Sequence, residues 1–472
     1  MTMYDSSRHV RSLRDKPTGK EETVKRASAF LGILLCLLLG AGVTAAQDNV
    51  EITFVHIFGG ENDDRGETIV AIADAFMAAN PGVTVTVTST STDYTELFNA
   101  ALLSAEQGNA PHIVQVEEGL TQLAADSTYF TPIGDLASEE QIASLDDVLP
   151  VVRQYYTIDE TLWSIPWNAS NPLLYYNKGM FEAAGLDPET PPTTFAEVTA
   201  ACEALMAVAE EINLRACINW PMATWFPEQW VAMQNGLVAL PDNGRAGARA
   251  TEMNYTGTEM QTVLDWWKSL ADSGYYTYSG RANSYDGEGI TFLSKQTAMS
   301  INSTAGISLF QSFGAAQGID LGIAGLPIPS EDATNGGTIG GASLWVTAGH
   351  PDAETQAAVD FIFFLTNVEN DMTWHQATGY FPIHQASIDA LTEAGWFDEN
   401  PAYGIALDQL SAASGNVANQ GAVIGPSADV RGILIEAFQS VVDSGEDVVT
   451  SLEAAKTRAD AVLTEYNSLV GE

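Results

Sequence analysis

The residues able to do chemistry point away from catalysis. The chain has six histidines, and the five beyond His9, namely His56, His112, His350, His375 and His384, lack the paired spacing of a zinc site. There is no G-x-S-x-G elbow, no phosphate-cradling G-x-x-x-x-G-K-[ST] loop and no dinucleotide fingerprint. Glu117 and Glu118 offer the carboxylates that glycoside hydrolysis needs, but neighbours on a strand point to opposite faces, so at most one of them faces a cleft. A single carboxylate suits hydrogen bonding to hydroxyls. Tyr and Trp side chains supply flat apolar area with a polar tip, a surface that fits sugar-like or glycerol-like ligands. The stretch Thr338 to Val346, TIGGASLWV, reads as a buried strand with a glycine-marked bulge. Its glycines also allow the backbone to approach a ligand closely.

Charge narrows the partners. The 472 residues carry 19 Lys plus Arg against 61 Asp plus Glu, a formal net charge of −42. Such a field repels nucleic acid and anionic membrane and favours solubility. It also repels an anionic ligand unless local donors overcome it, which gives weight to Arg431 in SADVRGI, beside Asp429 and Glu436.

The elements that must position these residues begin after a leader. Arg8, Arg11, Arg14, Lys16, Lys20, Lys25 and Arg26 precede an apolar run from Ala27 to Val43, followed by Thr44, Ala45 and Ala46. This is the three-part pattern of a secretory signal, and residues 1–45 are expected to be removed. Cys36 is preceded by Leu34 and Leu35, where a lipoprotein signal needs a small residue, so no lipid anchor is expected. Without the leader, 12 Lys plus Arg face 57 Asp plus Glu. An extracytoplasmic setting permits Cys202 and Cys217 to pair, although spacing does not decide whether they do.

The chain is too long for one hydrophobic core, so two domains are expected. EITFVHIF is a strand, 64–79 a helix stopped by Asn80-Pro81-Gly82, VTVTVTST a strand, 94–107 a helix and HIVQVEE a third strand. This alternation makes a parallel sheet, and ligands of such sheets sit beyond the carboxyl ends of the strands, here near Gly59, Tyr94 and Glu118. WSIPWNASNPLLYYNK, Trp163 to Lys178, reads as two strands with a Pro-bounded kink and marks the first interdomain crossing. Residues 195–211 and 258–273 read as amphipathic helices. From Asp352 onward the pattern is mostly helical, broken by TGYFPI.

Five segments in order, GNAPHIVQVEE, PWNASNPLLYYNKGMFEAAGLDPETPPTTF, GYYTYSGR, TIGGASLWV and WHQATGYFPI, resemble the glycerol-3-phosphate-binding components of ABC importers. These belong to the extracellular solute-binding proteins of the maltose-binding type. The resemblance runs from about Ile52 to the last helix. It implies an α/β fold of two lobes with a cleft between them and several hinge crossings. The N-terminal lobe is expected at 46–167 plus 342–370, and the C-terminal lobe at 168–341 plus 371–472. The implied protein is a secreted, non-enzymatic monomer in the periplasm or on the outer face of the cytoplasmic membrane. It uses no cofactor and no metal, and it hands a small-molecule ligand to an ABC permease. Carried over residue by residue, the implied ligand contacts are Tyr94, Glu118, Ser170, Trp225, Ser303, Gly341, Tyr380 and Arg431, with Thr304 and Gly340 as the alternatives one position away. In that reading Arg431 holds a phosphate, Glu118 accepts from glycerol hydroxyls and Trp225 packs on the carbon skeleton. One departure stands out: where the resembled proteins place a second Trp three residues before Trp225, this chain has Met222. That widens the expected glycerol end and admits a glycerophosphodiester beside free glycerol 3-phosphate. An oligosaccharide receptor and a secreted glycoside hydrolase are the alternatives.

Overall fold

The computed structural model describes residues 49–59 and 63–470; the signal-like segment and Cys36 lie outside them. β1 (Val50–His56) leads to α1 (Asp64–Ala79), which starts where the Asp63 side chain accepts the Arg65 backbone N–H and buries Ile69, Ile72, Ala73 and Phe76. β2 (Val83–Ser89), α2 (Tyr94–Glu106) and β3 (Ile113–Glu117) follow as their periodicities predict. α2 is capped by Asp93, whose carboxylate takes the Glu96 N–H at 2.9 Å. This places Tyr94 at the first turn, beyond the carboxyl end of β2. After β3 come a 3₁₀ turn (Glu118–Leu120), α3 (Thr121–Asp126) and β4 (Phe130–Thr131).

β5 (Ile165–Ser170) and β6 (Pro172–Asn177) are the two strands expected around the kink, and both are buried throughout. They belong to different sheets. The first sheet runs β2-β1-β3-β11-β4, where β11 is Gly340–Thr347 and also pairs with β5. The second runs β8-β7-β9-β6-β10, from β7 (Ala216–Asn219), β8 (Tyr276–Thr277), β9 (Thr297–Ser303) and β10 (Leu321–Gly325). The strand path therefore changes sheet at Asn171, later than the break expected after residue 167, because β5 stays hydrogen-bonded to β11 as far as Ser170 opposite Gly340. Asn171 is held on both sides of the step: its carbonyl accepts Thr304 N–H at 2.9 Å and its side-chain amide donates to Ala406 O at 3.0 Å.

Helices cover both sheets. α4 (Phe195–Ala207), α5 (Trp225–Met233), α6 (Thr258–Asp272), α7 (Tyr285–Leu293), α8 (Asp352–Leu365), α9 (Val368–Thr378), α10 (Ser427–Ser444) and α11 (Val448–Val470) complete the elements used below. One core gathers Phe54, Phe76, Trp167, Phe361, Trp374 and Tyr380 on the first sheet. Another gathers Trp220, Trp230, Trp267, Phe438 and Leu463 on the second. Trp374 and Tyr380 thus pack with the first core, although they were expected in the second lobe. Each fully buried large apolar side chain contributes about 1.5–3 kcal/mol, so these two cores supply much of the apolar stabilisation of the two sheets. Cys202 of α4 and Cys217 of β7 form a disulfide. Among the described residues no helix is long and apolar enough to cross a membrane.

Candidate functional site

Of the eight expected contacts, Tyr94, Ser170, Trp225, Ser303, Gly341 and Tyr380 lie around Asn168 to Asn171, where the chain steps between sheets, and Glu118 and Arg431 pair with each other beside Glu228. In the antiparallel pairing of β11 with β5, Gly340 lies opposite Ser170 and Gly341 opposite Ala169, and the register shifts at Ala342/Ser343. The expected bulge is therefore real and sits just past the glycines. Gly341 has φ +109°, and a Cβ there would overlap the Asn168 carbonyl oxygen. At Gly340 a Cβ would lie 2.5 Å from the Trp225 indole. These two positions need glycine for conformation and for clearance respectively.

Tyr380 reaches the same place because Phe381 N–H donates to Ala169 O at 3.0 Å. Its carbonyl is fixed by His375, whose Nδ1 lies 2.7 Å away while Nε2 accepts from Trp396 Nε1 at 3.0 Å. Ser303 ends β9 opposite Pro172 and turns its hydroxyl to the Ala305 N–H at 3.2 Å. Ser303 is half-buried, whereas Thr304 is buried with its hydroxyl against Asn171 N–H; likewise Gly341 is half-buried and Gly340 buried. In each pair the position first assigned is the more open one.

Tyr94 is oriented by a relay. Ile57 N–H donates to Gln115 Oε1 at 2.8 Å, Gln115 Nε2 to Asn168 Oδ1 at 2.9 Å, and Asn168 Nδ2 to the Tyr94 hydroxyl at 2.8 Å. Since the hydroxyl oxygen accepts within the relay, its own proton is available to a ligand. Burial, with Tyr380 nearby, holds the Tyr94 ionisation well above its ordinary value, so it stays a neutral donor.

Arg431, on the first turns of α10, does not present a free fork. Its Nε and Nη2 donate to Glu228 Oε1 and Oε2 at 3.0 and 2.7 Å, and Nη2 also meets Glu118 Oε1 at 3.3 Å. Gly119 makes room for this, because a Cβ there would strike the guanidinium. Burial first, then Glu117, pushes Glu118 up to about 8, and burial also raises Glu117. Both glutamates lie in the field of Arg431, contrary to the alternation expected of strand neighbours. The strand ends at Glu117 and the chain turns into the 3₁₀ segment at Glu118, so the period of two no longer applies.

Several site residues escaped the sequence reading. Glu228 lies three residues after Trp225 on α5, hence on the same face, and that spacing was a usable signal. Asn168 shares a face of β5 with the expected Ser170 by the period of two. Tyr155 joins Glu118, Glu228 and Arg431 in lining a small pocket. The aromatic neighbours of Trp225 are Phe226 and Tyr285, with ring centroids 5.1 and 6.3 Å away, and the Tyr285 ionisation is raised by burial and by Glu117 and Glu118. Met222 is fully buried and Trp220 stacks among Trp230, Trp266 and Trp267, so neither forms this wall. Among the described residues Trp225 Nε1 has no hydrogen-bond partner.

At the opposite end of β3, His112, His350 and Glu354 come within metal-ligand range of one another, a grouping their spacing did not disclose. Thr53 N–H donates to His112 Nδ1 at 3.1 Å, which places the proton on Nε2, 3.0 Å from Glu354 Oε2. That nitrogen is a donor to the carboxylate and offers no lone pair to a cation.

Residues 71–404 match the family described as bacterial extracellular solute-binding protein. The sn-glycerol-3-phosphate-binding periplasmic protein UgpB of an Escherichia coli strain is 30% identical over 436 residues, covering 91% of this chain and 96% of that protein. Its counterpart in Pectobacterium atrosepticum is 29% identical over 458 residues, covering 94% and 98%. UgpB from Mycobacterium tuberculosis, solved in complex with glycerophosphocholine, superposes with a TM-score of 0.73 at 21% identity, covering 88% of this chain and 99% of that one. Maltose-bound MalE3 of T. maritima gives 0.70 at 17%, covering 88% and 100%. The two-lobed α/β architecture is thus shared with these structures, and the chain belongs to the bacterial extracellular solute-binding proteins.

Proposed function

We propose that this chain is the extracytoplasmic binding component of an ABC importer. It captures glycerol 3-phosphate or a glycerophosphodiester between its lobes and delivers it to the membrane subunits of the permease. The observation that carries this reading is the two-ended polarity of the site. One end holds Glu117, Glu118 and Glu228 around Arg431. The other holds neutral donors, the hydroxyls of Tyr94, Ser170, Ser303 and Tyr380 and the backbone at Gly341, with the Arg65 cation within electrostatic reach of Tyr94 and Tyr380. The relatives that share 30% of the sequence bind sn-glycerol 3-phosphate by name, and such a molecule has two matching ends.

Charge orients it. Arg431 already donates to Glu228 through Nε and Nη2 and to Glu118 through Nη2, so its fork is not free to take a phosphate. The hydroxyl end therefore faces Glu118 and Arg431, and the phosphate faces the uncharged donors. Arg431 then acts by holding Glu118 in place and not as the phosphate anchor. Trp225 and Tyr285 flank the carbon skeleton. The lobes divide at Asn171 and again where β11 begins, and they close by hinge motion.

The carboxylates support binding without catalysis. Glycoside hydrolysis places an acid and a base on either side of a scissile bond, whereas here the carboxylates gather around a single guanidinium. Calorimetry with glycerol 3-phosphate, glycerophosphocholine and maltose tests the reading: heat with either phosphate ester and none with maltose is expected. Binding of maltose alone would overturn it in favour of an oligosaccharide receptor.

A further inference from the structure

A second contact spans the two lobes away from the ligand contacts. Asp126 is the last residue of α3, which packs through Ala124 with Val114 and Trp345 of the first lobe. Its side chain is only 7% exposed. Four donors reach it. Arg249 Nη1 donates to Oδ2 at 2.8 Å and Nη2 donates to Oδ1, the Tyr466 hydroxyl donates to Oδ2 at 2.7 Å, and Gln122 of the same helix donates to Oδ1 at 2.9 Å.

Arg249 and Tyr466 come from the other lobe and are assembled there beforehand. Asn467 Nδ2 donates to Ala250 O at 2.8 Å, which ties the residue after Tyr466 to the residue after Arg249. The Tyr466 ring lies over Gly425, where a Cβ would overlap it. α11, which carries Tyr466, packs through Leu463 and Ala459 into the second core. The segment Glu118 to Asp126 is therefore gripped at both ends, at Glu118 by Arg431 and at Asp126 by Arg249 and Tyr466. The first grip lies inside the proposed ligand site. The second touches none of the proposed ligand contacts.

We propose that Asp126, Arg249 and Tyr466 are positioning residues for binding: a ligand-independent clasp that holds the lobes together and sets how long a captured ligand stays. The retention part rests on the reading of the cleft given under Proposed function. A clasp that also holds the ligand-free lobes together must open to admit the ligand and again to release it, so it slows both association and dissociation. Because the Asp126 carboxylate is a charged, multiply bonded acceptor, losing its charge weakens every bond it makes.

Asp126→Asn and Tyr466→Phe test this. Arg249 is 37% exposed and tolerates the loss of its partner, and Tyr466→Phe removes one bond while keeping the ring on Gly425. Two readouts are needed: X-ray scattering of the ligand-free proteins, and stopped-flow association and dissociation of glycerol 3-phosphate and glycerophosphocholine. The expected result is a larger ligand-free radius of gyration in both variants. Dissociation should be on the order of tenfold faster in Asp126→Asn and less so in Tyr466→Phe, and association should be faster as well because the free lobes no longer have to unclasp. Unchanged ligand-free scattering in both variants overturns the clasp, as does an unchanged off-rate beside a wild type that binds. If the wild type binds neither probe, the ligand reading fails, while scattering still decides the clasp.

Discussion

Arg431 donates to Glu228 through two nitrogens, Nε to Oε1 at 3.0 Å and Nη2 to Oε2 at 2.7 Å. This forked geometry fixes the guanidinium plane and leaves Nη2 to meet Glu118. Removing the cation would leave Glu228 without its partner and would leave Glu117 and Glu118 without a counter-charge once they ionise. Arg431→Met is therefore expected to lose ligand binding and to destabilise the fold by roughly 3 kcal/mol near neutral pH, the scale for breaking a buried pair. The loss should shrink as the pH falls and the carboxylates protonate. Urea unfolding of variant and wild type at pH 5 and pH 8 measures this, and an equal deficit at both values would remove the electrostatic explanation.

Glu118 supplies its own pH dependence. Burial, then Glu117, raises its folded ionisation to about 8 from its ordinary value of 4.5, so the folded state holds a proton that the unfolded state releases. The stability from this group is fully present below pH 4.5 and is lost as the pH rises through about 8. Glu118→Gln, which keeps the shape and cannot ionise, should flatten that decline. Its urea midpoint should vary less between pH 5 and pH 8 than that of the wild type. A variant with the wild-type slope would show that another group carries it.

Much of this site could be read from the chain, and what could not has a physical reason. Local periodicity located α1, β3 and the two strands at the crossing, because each pattern reports burial on one face. Of the residues the resemblance implied, Tyr94, Ser170, Ser303, Gly341 and Tyr380 neighbour the step at Asn168 to Asn171, while Glu118 and Arg431 pair with each other. What stayed hidden are pairings across long separations. Glu228 and Arg431 are 203 residues apart, and no local pattern ties a carboxylate on one helix to a guanidinium on another. The same holds for Asp126 with Tyr466, separated by 340 residues. The alternation rule misplaced Glu117 and Glu118 because it assumes that the strand continues. The cysteines could be named as a possible pair, but only the packing of α4 on β7 joins them.

That disulfide closes a loop between residues 15 apart. A cross-link of this size stabilises by about 3 kcal/mol in the chain-entropy account. The double variant Cys202→Ser, Cys217→Ser should unfold at a clearly lower urea concentration, while ligand affinity at low temperature stays within about twofold, since neither cysteine is among the proposed contacts. An unchanged urea midpoint would mean that the packing of α4 on β7 supplies the constraint alone.

Gly341 is the sharpest test of the crossing. Its φ of +109° disfavours any L side chain, and an alanine methyl would overlap the Asn168 carbonyl oxygen. A non-glycine residue in such a conformation costs on the order of 1–3 kcal/mol before any clash. Gly341→Ala should therefore both destabilise and displace Asn168, whose side chain orients Tyr94. The comparison that isolates the site is Tyr94→Phe, which leaves the backbone alone. If Gly341 matters through the relay as well as through stability, both variants lose affinity for glycerol 3-phosphate, and only Gly341→Ala lowers the thermal midpoint.

His375 couples acid stability to the site. Burial lowers its ionisation to about 4 from 6.5, against the hydrogen bond to Tyr380 O that favours the cation. Trp396 Nε1 donates to Nε2, so the ring is neutral with its proton on Nδ1. For a depressed folded value the sign is the reverse of Glu118: the contribution is present above pH 6.5 and is lost as the pH falls through about 4. In acid the protonated ring must give up the Trp396 bond, which loosens the segment that carries Tyr380. His375→Asn retains a donor for the Tyr380 carbonyl and has no group to protonate. It should be less stable than wild type at pH 7 but should lose less on going to pH 4. The crossing of the two stability curves, read by urea midpoints at half-unit steps, is the expected signature, and parallel curves would assign the acid sensitivity elsewhere.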